Sequence, residues 1–284
     1  MGLLNHDLKE KIKRNLKQIP EWIAADDQAD KTLAPIDVLI PIIEKDLETV
    51  TEVVKHVRQY LLHPIHQISF IAPKTKKILD AAESLNCKFI DESTVLPIQV
   101  QNVQYFVDQI DRSGWLFQQF LKWSEDLSTT QHYLLLDADT LLVRPRVFLK
   151  NNKTVLLTSD EHHSSYRKFY ELLLGYPMTS RESFISHHML IDKEKVRELK
   201  KEIEARSNGK KWYEQIIFLL KEHPKLSFSE YETYGNWLLN RYPESVITRY
   251  WGNIAINRKS DFLKKKHILR RYWSVSLHSY LNEN

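Results

Sequence analysis

Two aspartates stand two residues apart in the run QHYLLLDADTLLVRPR, residues 131–146. The apolar stretch Tyr133 to Leu136 leads into Asp137-Ala138-Asp139, and Leu141-Leu142-Val143 resumes the apolar pattern. Read locally, a buried strand ends where the carboxylates begin. Two carboxylates in a tight turn can hold one divalent cation, and Mg²⁺ and Mn²⁺ prefer such hard oxygen ligands, completed by water or phosphate. Uncompensated carboxylates at the end of a buried strand are costly, which also favours a bound cation. The competing reading is a solvated turn in which Asp137 caps the next element. A metal-bound diphosphate is the ligand class that this pattern suits, and a phosphatase using Asp137 and Asp139 is a second chemistry open to it.

Other residues carry chemistry by type and place. Arg112 stands at the start of the stretch RSGWLFQQFLKWSED, residues 112–126, which reads as a helix. A helix start beside an arginine suits a phosphate, and Ser113-Gly114 lets the backbone come close to a ligand. Gln118 and Gln119 on that helix can face a donor sugar or stay solvated. Trp115, Phe117, Phe120, Leu121 and the aliphatic stem of Lys122 are expected to cover its apolar face. His187 and His188 lie in FISHHML, which reads as strand, so one should face a cleft and the other be a satisfied structural histidine. Ser229-Glu230-Tyr231-Glu232 opens a helix as a capping box, with Glu232 as the partner of Ser229 and the Glu230 carboxylate free.

The elements that must position these groups follow from periodicity. Strands are expected over 36–40, stopping before Pro41, then over 67–72 and 87–91, with helices over 46–62 and 74–86 between them. This is a βαβαβ unit, hence a parallel sheet that binds ligands at the carboxyl ends of its strands. The opening stretch supplies a fourth strand. Further strands are expected over 154–158 and 184–191, and helices over 164–174, 193–206, 211–222 and 230–240. From residue 246 the tail mixes short β-like pieces with the basic run Arg258 to Arg271. Residues 1–33 form an amphipathic helical extension with Leu8, Ile12, Leu16, Ile19 and Ile23 on one face, ended or broken near Pro20 and packed on the domain or on another copy. Residues 34–284 form one domain, divided into a half at 34–145 and a half with a tail at 146–284.

Composition narrows the classes. A net charge of +4 is mildly basic, but the basic residues are not arranged in a stripe and carry no nucleic-acid motif. Only 6 glycines leave little material for a glycine-rich phosphate loop. Cys87 is the single cysteine, so no intrachain disulfide can form. With no leader or membrane span evident, the expectation is a cytoplasmic protein.

Five stretches carry a resemblance: DVLIPIIEKDL at 37–47, RSGWLFQQFLK at 112–122, YLLLDADTLLVRP at 133–145, ESFISHHMLI at 182–191 and FSEYETYGNWLLNRYP at 228–243. Together the sequence resembles the GT-A glycosyltransferases, and more closely an uncharacterised bacterial family of glycosyltransferase-like proteins, over roughly residues 35–280. The other bearer of an Asp-x-Asp motif, the haloacid-dehalogenase phosphatase, has Thr or Val where this chain has Leu141, and its motif opens the domain. The resemblance implies an α/β fold of GT-A type, with a mostly parallel central sheet flanked by helices and residues 34–145 as the nucleotide-sugar half. It implies Mn²⁺ or Mg²⁺ on Asp137 and Asp139, with His278 as a third ligand. Ile40, Pro41 and Lys45 would meet the donor with Arg112, Gln118 and Asp137, and His187 or His188 the acceptor. Glu230, in preference to Glu232, would be the base of an inverting transfer. The donor would be a nucleotide sugar, a UDP-sugar above others, and the acceptor a glycan or lipid-linked glycan of bacterial surface polysaccharide synthesis. Peripheral attachment to the inner membrane face and oligomerisation stay open.

Overall fold

A computed structural model describes residues 16–21, 23–29, 33–256 and 271–277 of the chain. Its centre is a five-stranded sheet in the order β10-β6-β1-β2-β3. The strands are β1 (Ile36–Pro41), β2 (Ile65–Ala72), β3 (Lys88–Asp91), β6 (His132–Leu136) and β10 (His188–Asp192). The β1–β2, β2–β3 and β1–β6 pairs are parallel, and β10 runs antiparallel to β6. The mostly parallel α/β sheet expected from the sequence is therefore present.

Alternation along the strands divides the core into two layers. Val38, Ile40, Phe70, Leu134 and Leu136 face helices α1 (Leu47–Tyr60) and α2 (Lys76–Ser84), meeting Val50, Val53, Val54, Val57 and Ile78. Leu39, Ile71, Tyr133 and Leu135 face the other way, toward Phe117, Phe120, Phe169, Tyr170 and Trp237. That second layer is built by the short helix α3 (Val100–Val103), α4 (Ser113–Lys122), α5 (Ser164–Leu174), α6 (Lys193–Ala205), α7 (Trp212–Glu222) and α8 (Glu230–Arg241).

Two sequence expectations change. Pro41 belongs to β1, in register with Ile71, because the next backbone donor, Ile42 N, still bonds Ile71 O at 3.0 Å. The strand expected over 154–158 is present as β9 (Lys153–Thr158), in a second sheet between β8 (Leu149–Lys150) and β11 (Val246–Tyr250). The strand expected over 184–191 begins only at His188. A hairpin not anticipated, β4 (Phe106–Val107) with β5 (Ile110–Asp111), turns through Asp108 and Gln109 in the left-handed region. The tail supplies β12 (Asn253–Ile256) and β13 (Ser274–Leu277), and β13 pairs antiparallel with β7 (Thr140–Leu142), directly after the acidic turn.

The amino-terminal helix also differs from expectation. Residues 16–21 and 23 are helical through Pro20, yet Leu16, Ile19 and Ile23 point outward. Its polar side docks instead. Lys17 pairs with Asp160, Gln18 donates to Asn253 O, and Glu21 pairs with Arg249 at 2.8 Å. Asp26 holds Arg144 at 2.7 Å, and the guanidinium groups of Arg144, Arg146 and Arg249 lie 3.9, 4.5 and 4.0 Å from the centre of the Trp273 ring. The basic run 258–271 lies outside the described residues apart from Arg271. Among the described residues no helix is long and apolar enough to cross a membrane.

At the amino end of β1, Asp37 ties the sheet to the loop before β6. Its carboxylate accepts from Thr129 N at 2.7 Å, Ser128 Oγ at 3.0 Å and His66 Nδ1 at 2.9 Å. Burial alone would raise its pKa, but His66 and the Thr129, Ser128 and Thr130 donors outweigh burial and hold it below the ordinary aspartate value. Asp37→Ala should cost about 1–3 kcal/mol at neutral pH, because it strands buried donors. A carboxylate with a lowered native pKa stabilises above its unfolded value and ceases to do so as pH falls through the native one. The gap between the wild type and Asp37→Ala in urea denaturation should therefore close in strong acid.

Candidate active site

The sheet order places a switch point between β1 and β6. From β1 the chain winds outward through β2 and β3, then returns to the other side of β1 to form β6. The chain leaves β1 toward α1 and leaves β6 through the acidic turn toward β7, and a crevice opens at the carboxyl ends of the two strands. Pro41 and Ile42 line the crevice from β1, and Asp137, Ala138 and Asp139 line it from β6. The cleft has a volume of about 660 Å³.

The acidic turn is fixed through its backbone. Asp137 N donates to His187 O at 2.9 Å, and Thr140 N closes the turn on Asp137 O at 3.1 Å. Thr49 of α1 donates to Ala138 O at 2.9 Å, and Leu277 of β13 donates to Asp139 O at 2.8 Å. Four separate parts of the chain thus set the direction of the two carboxylates.

Asp137 faces a buried ammonium. Lys122, the last residue of α4, places Nζ 2.7 Å from Asp137 Oδ1 and 2.6 Å from Glu230 Oε1. Tyr231 donates to the same Asp137 oxygen at 3.0 Å, and its hydroxyl is 3.3 Å from Lys122 Nζ. The Lys122 side chain is only 5% exposed, whereas Asp137 retains 27% exposure toward the cleft. Burial would raise the Asp137 pKa, but Lys122, His187 and Tyr231 outweigh it and hold the carboxyl low. Burial opposes the charge on Lys122, and Asp137 with Glu230 more than restores it, so the ammonium is held charged. Gln119 Oε1 accepts from Glu230 N at 3.1 Å and fixes the start of α8 beneath this cluster.

Several expected site residues meet here. Pro41, Lys45, Arg112, Gln118, Asp137, Asp139, His187 and Glu230 all line the cleft. Three others do not. Ile40 is fully buried in the layer packed on α1, because strand alternation turns it away from the crevice. His188 is buried against the rings of Phe148 and Trp251, and burial, with Arg146 and His187 nearby, pushes its pKa down to about 3. It is a neutral core residue rather than an acceptor contact. Glu232 is equally buried. Its carboxylate accepts from Phe184 N at 3.1 Å and Asn236 Nδ2 at 3.1 Å, so it braces the 184 segment instead of completing the capping box. The other half of that box is present, since Ser229 Oγ accepts from Glu232 N. His278 lies outside the described residues.

Of the two histidines, one faces the cleft and the other the core, as expected, although His187 precedes β10 with φ of 58° and places its ring beside Trp251. Two other expectations fail for local reasons. The Glu230 carboxylate is not free but paired with Lys122. Trp115 does not join the covered face of α4; it is 40% exposed and lines the cleft. Sequence reading missed Lys122, Tyr231 and Asp46. Asp46 follows β1 and shares the cleft wall; burial raises its pKa, against the opposing pull of Ile43 N and Lys45, and Asp139 and Asp137 raise it further.

The donor set tests the fit to a cation. Asp137 and Asp139 offer hard carboxylate oxygens. Among the described residues, however, no three His, Cys, Asp or Glu side chains converge tightly enough to hold a metal ion by themselves. The set fits Mg²⁺ or Mn²⁺ whose remaining positions are filled by water and phosphate oxygens.

Gly235 lets α8 approach this wall. A Cβ there would lie 2.6 Å from Cγ of Phe184, next to cleft residue Ile185. Gly235→Ala gains about 1 kcal/mol of helix propensity but must displace that ring, at a cost of about 1–3 kcal/mol. The variant should be less stable in urea denaturation than the wild type.

No curated protein sequence matches the chain. Among solved structures, mouse xyloside xylosyltransferase 1 in its apo form is 12% identical, with a TM-score of 0.49 over 87% of this chain and 99% of that one. Galactosyltransferase LgtC, solved with donor and acceptor sugar analogues, is 14% identical, with a TM-score of 0.45 over 85% of this chain and 87% of that one. Glycosyltransferase GlyE of Streptococcus pneumoniae TIGR4 is 11% identical, with a TM-score of 0.43 over 87% of this chain and 55% of that one. A family-level sequence profile matches residues 41–274, and by that match the chain belongs to the family of unknown function DUF6492.

Proposed function

We propose that the protein is a glycosyltransferase that takes a nucleotide-sugar donor with Mg²⁺ or Mn²⁺ on its diphosphate. The observation that carries this reading is the acidic turn at the switch point, with Glu230 across the same cleft on the same ammonium. The five sequence stretches that resemble GT-A glycosyltransferases all contribute residues to this cleft or its walls.

In this reading Asp137 and Asp139 hold the cation, which when bound stabilises the departing nucleoside diphosphate. Pro41, Lys45, Arg112 and Gln118 bind the donor from the β1 and α4 sides. His187 and Glu230 stand toward the acceptor. Glu230 takes the proton of the acceptor hydroxyl if configuration inverts, and Gln119 keeps it in place through the backbone of α8. Lys122 balances its charge, so that two carboxylates can share a dry wall. Glu232 has a bracing role only. The phosphatase reading is less favoured, because Leu141 stands where that motif has Thr or Val and the acidic pair follows three strands instead of opening the domain. A UDP-sugar donor, a glycan or lipid-linked acceptor, a cytoplasmic site at the inner membrane face and a role in surface polysaccharide synthesis extend the same resemblance.

Calorimetric titration with UDP, GDP and CMP, each with and without Mn²⁺, tests the reading. One nucleotide should bind in a Mn²⁺-dependent way, and Asp139→Ala should weaken that binding about tenfold or more, to the metal-free level. Failure of all three nucleotides to bind in the presence of Mn²⁺ would sink it.

A further inference from the structure

We propose that Lys122 is an internal competitor for the divalent cation, which makes metal binding contingent on the nucleotide. This rests on the nucleotide-sugar reading above. The Lys122 ammonium is 2.7 Å from Asp137 Oδ1, the carboxylate through which a cation would be held. Its second contact, Glu230 Oε1 at 2.6 Å, and its position 4.4 Å from the centre of the Tyr231 ring fix it there from below. At 5% exposure it is packed into the cleft wall and not extended into solvent. A divalent ion placed on Asp137 therefore meets a positive charge already bonded there, and the two repel.

No complete ligand group stands ready among the described residues to offset that repulsion. Among the described residues no third His, Cys, Asp or Glu side chain joins Asp137 and Asp139 in a metal-binding group. A diphosphate supplies both missing parts, oxygen ligands and negative charge. The cation should accordingly enter as a complex with the nucleotide, while in the empty cleft the ammonium keeps Asp137 and Glu230 compensated. The same geometry gives an opposite expectation for a neutral residue at 122. Asp137 and Glu230 would then face each other without the ammonium that lies between them, and free metal would meet no fixed charge at Asp137 Oδ1.

Calorimetric titration of the full-length chain with MnCl₂ alone tests this, with circular dichroism to verify the fold of each variant. The wild type should bind Mn²⁺ weakly and gain about tenfold or more in affinity when the nucleotide that binds is present. Lys122→Met should bind Mn²⁺ alone about tenfold or more tightly than the wild type, and Lys122→Arg should behave like the wild type. The gain should vanish in Lys122→Met combined with Asp137→Asn, which separates competition at Asp137 from a general change in charge. If Lys122→Met does not fold, Lys122→Met with Glu230→Gln removes one charge of each sign and carries the same expectation. A folded neutral variant whose affinity for free Mn²⁺ stays within about twofold of the wild type overturns the proposal. So does a wild type that binds free Mn²⁺ as tightly as it does with nucleotide. Loss of nucleotide binding in the wild type instead defeats the functional reading itself.

Discussion

The ammonium of Lys122 is the constraint around which the cleft is arranged. It terminates α4, and its two carboxylate partners come from the turn after β6 and from the first residue of α8. An ion removed from water must be compensated almost completely, so these three elements cannot move independently. Tyr231 adds a second bond to Asp137, and Gln119 adds one to the backbone of Glu230. Residues distant in sequence are thereby fixed to within hydrogen-bond tolerance.

The sheet decides where this cluster meets solvent. With β1 at the centre and neighbours added on both sides, the β1–β6 junction is where the carboxyl ends open into the crevice. Strand alternation then sorts adjacent residues. Ile40 goes to the core and Pro41 to the crevice, and His187, in the left-handed region just before β10, lines the cleft while His188 is buried.

Much of this could be read from the chain before its structure. The strand and helix periodicity of the first 91 residues placed β1 through β3 to within two residues, because their apolar patterns are local. The acidic pair was legible for the same reason: a polar break in an apolar run shows without knowledge of the fold. Lys122 was not legible, since a lysine at the end of an amphipathic helix ordinarily leaves its charge in water. Its burial depends on Asp137 and Glu230, the latter 108 residues away. The free carboxylate assigned to Glu230 failed for the same reason, and the outward turn of Ile19 and Ile23 reflects ion pairs with Asp160 and Arg249 that no local pattern reveals.

The pairing of β13 with β7 bears on the order in which the site can be assembled. Thr140 to Leu142 leave the ribosome long before their partners at Ser274 to Leu277 exist, and the carbonyl of Asp139 waits equally long for Leu277 N. The central sheet, with its two neighbouring layers, can close first, as domains do during synthesis. Until residue 277 emerges, the acidic turn is held on three sides only. A nascent chain would therefore carry the central sheet with an unfinished cleft, and the acidic turn would be completed only after residue 277 emerges, later than the sheet that carries it.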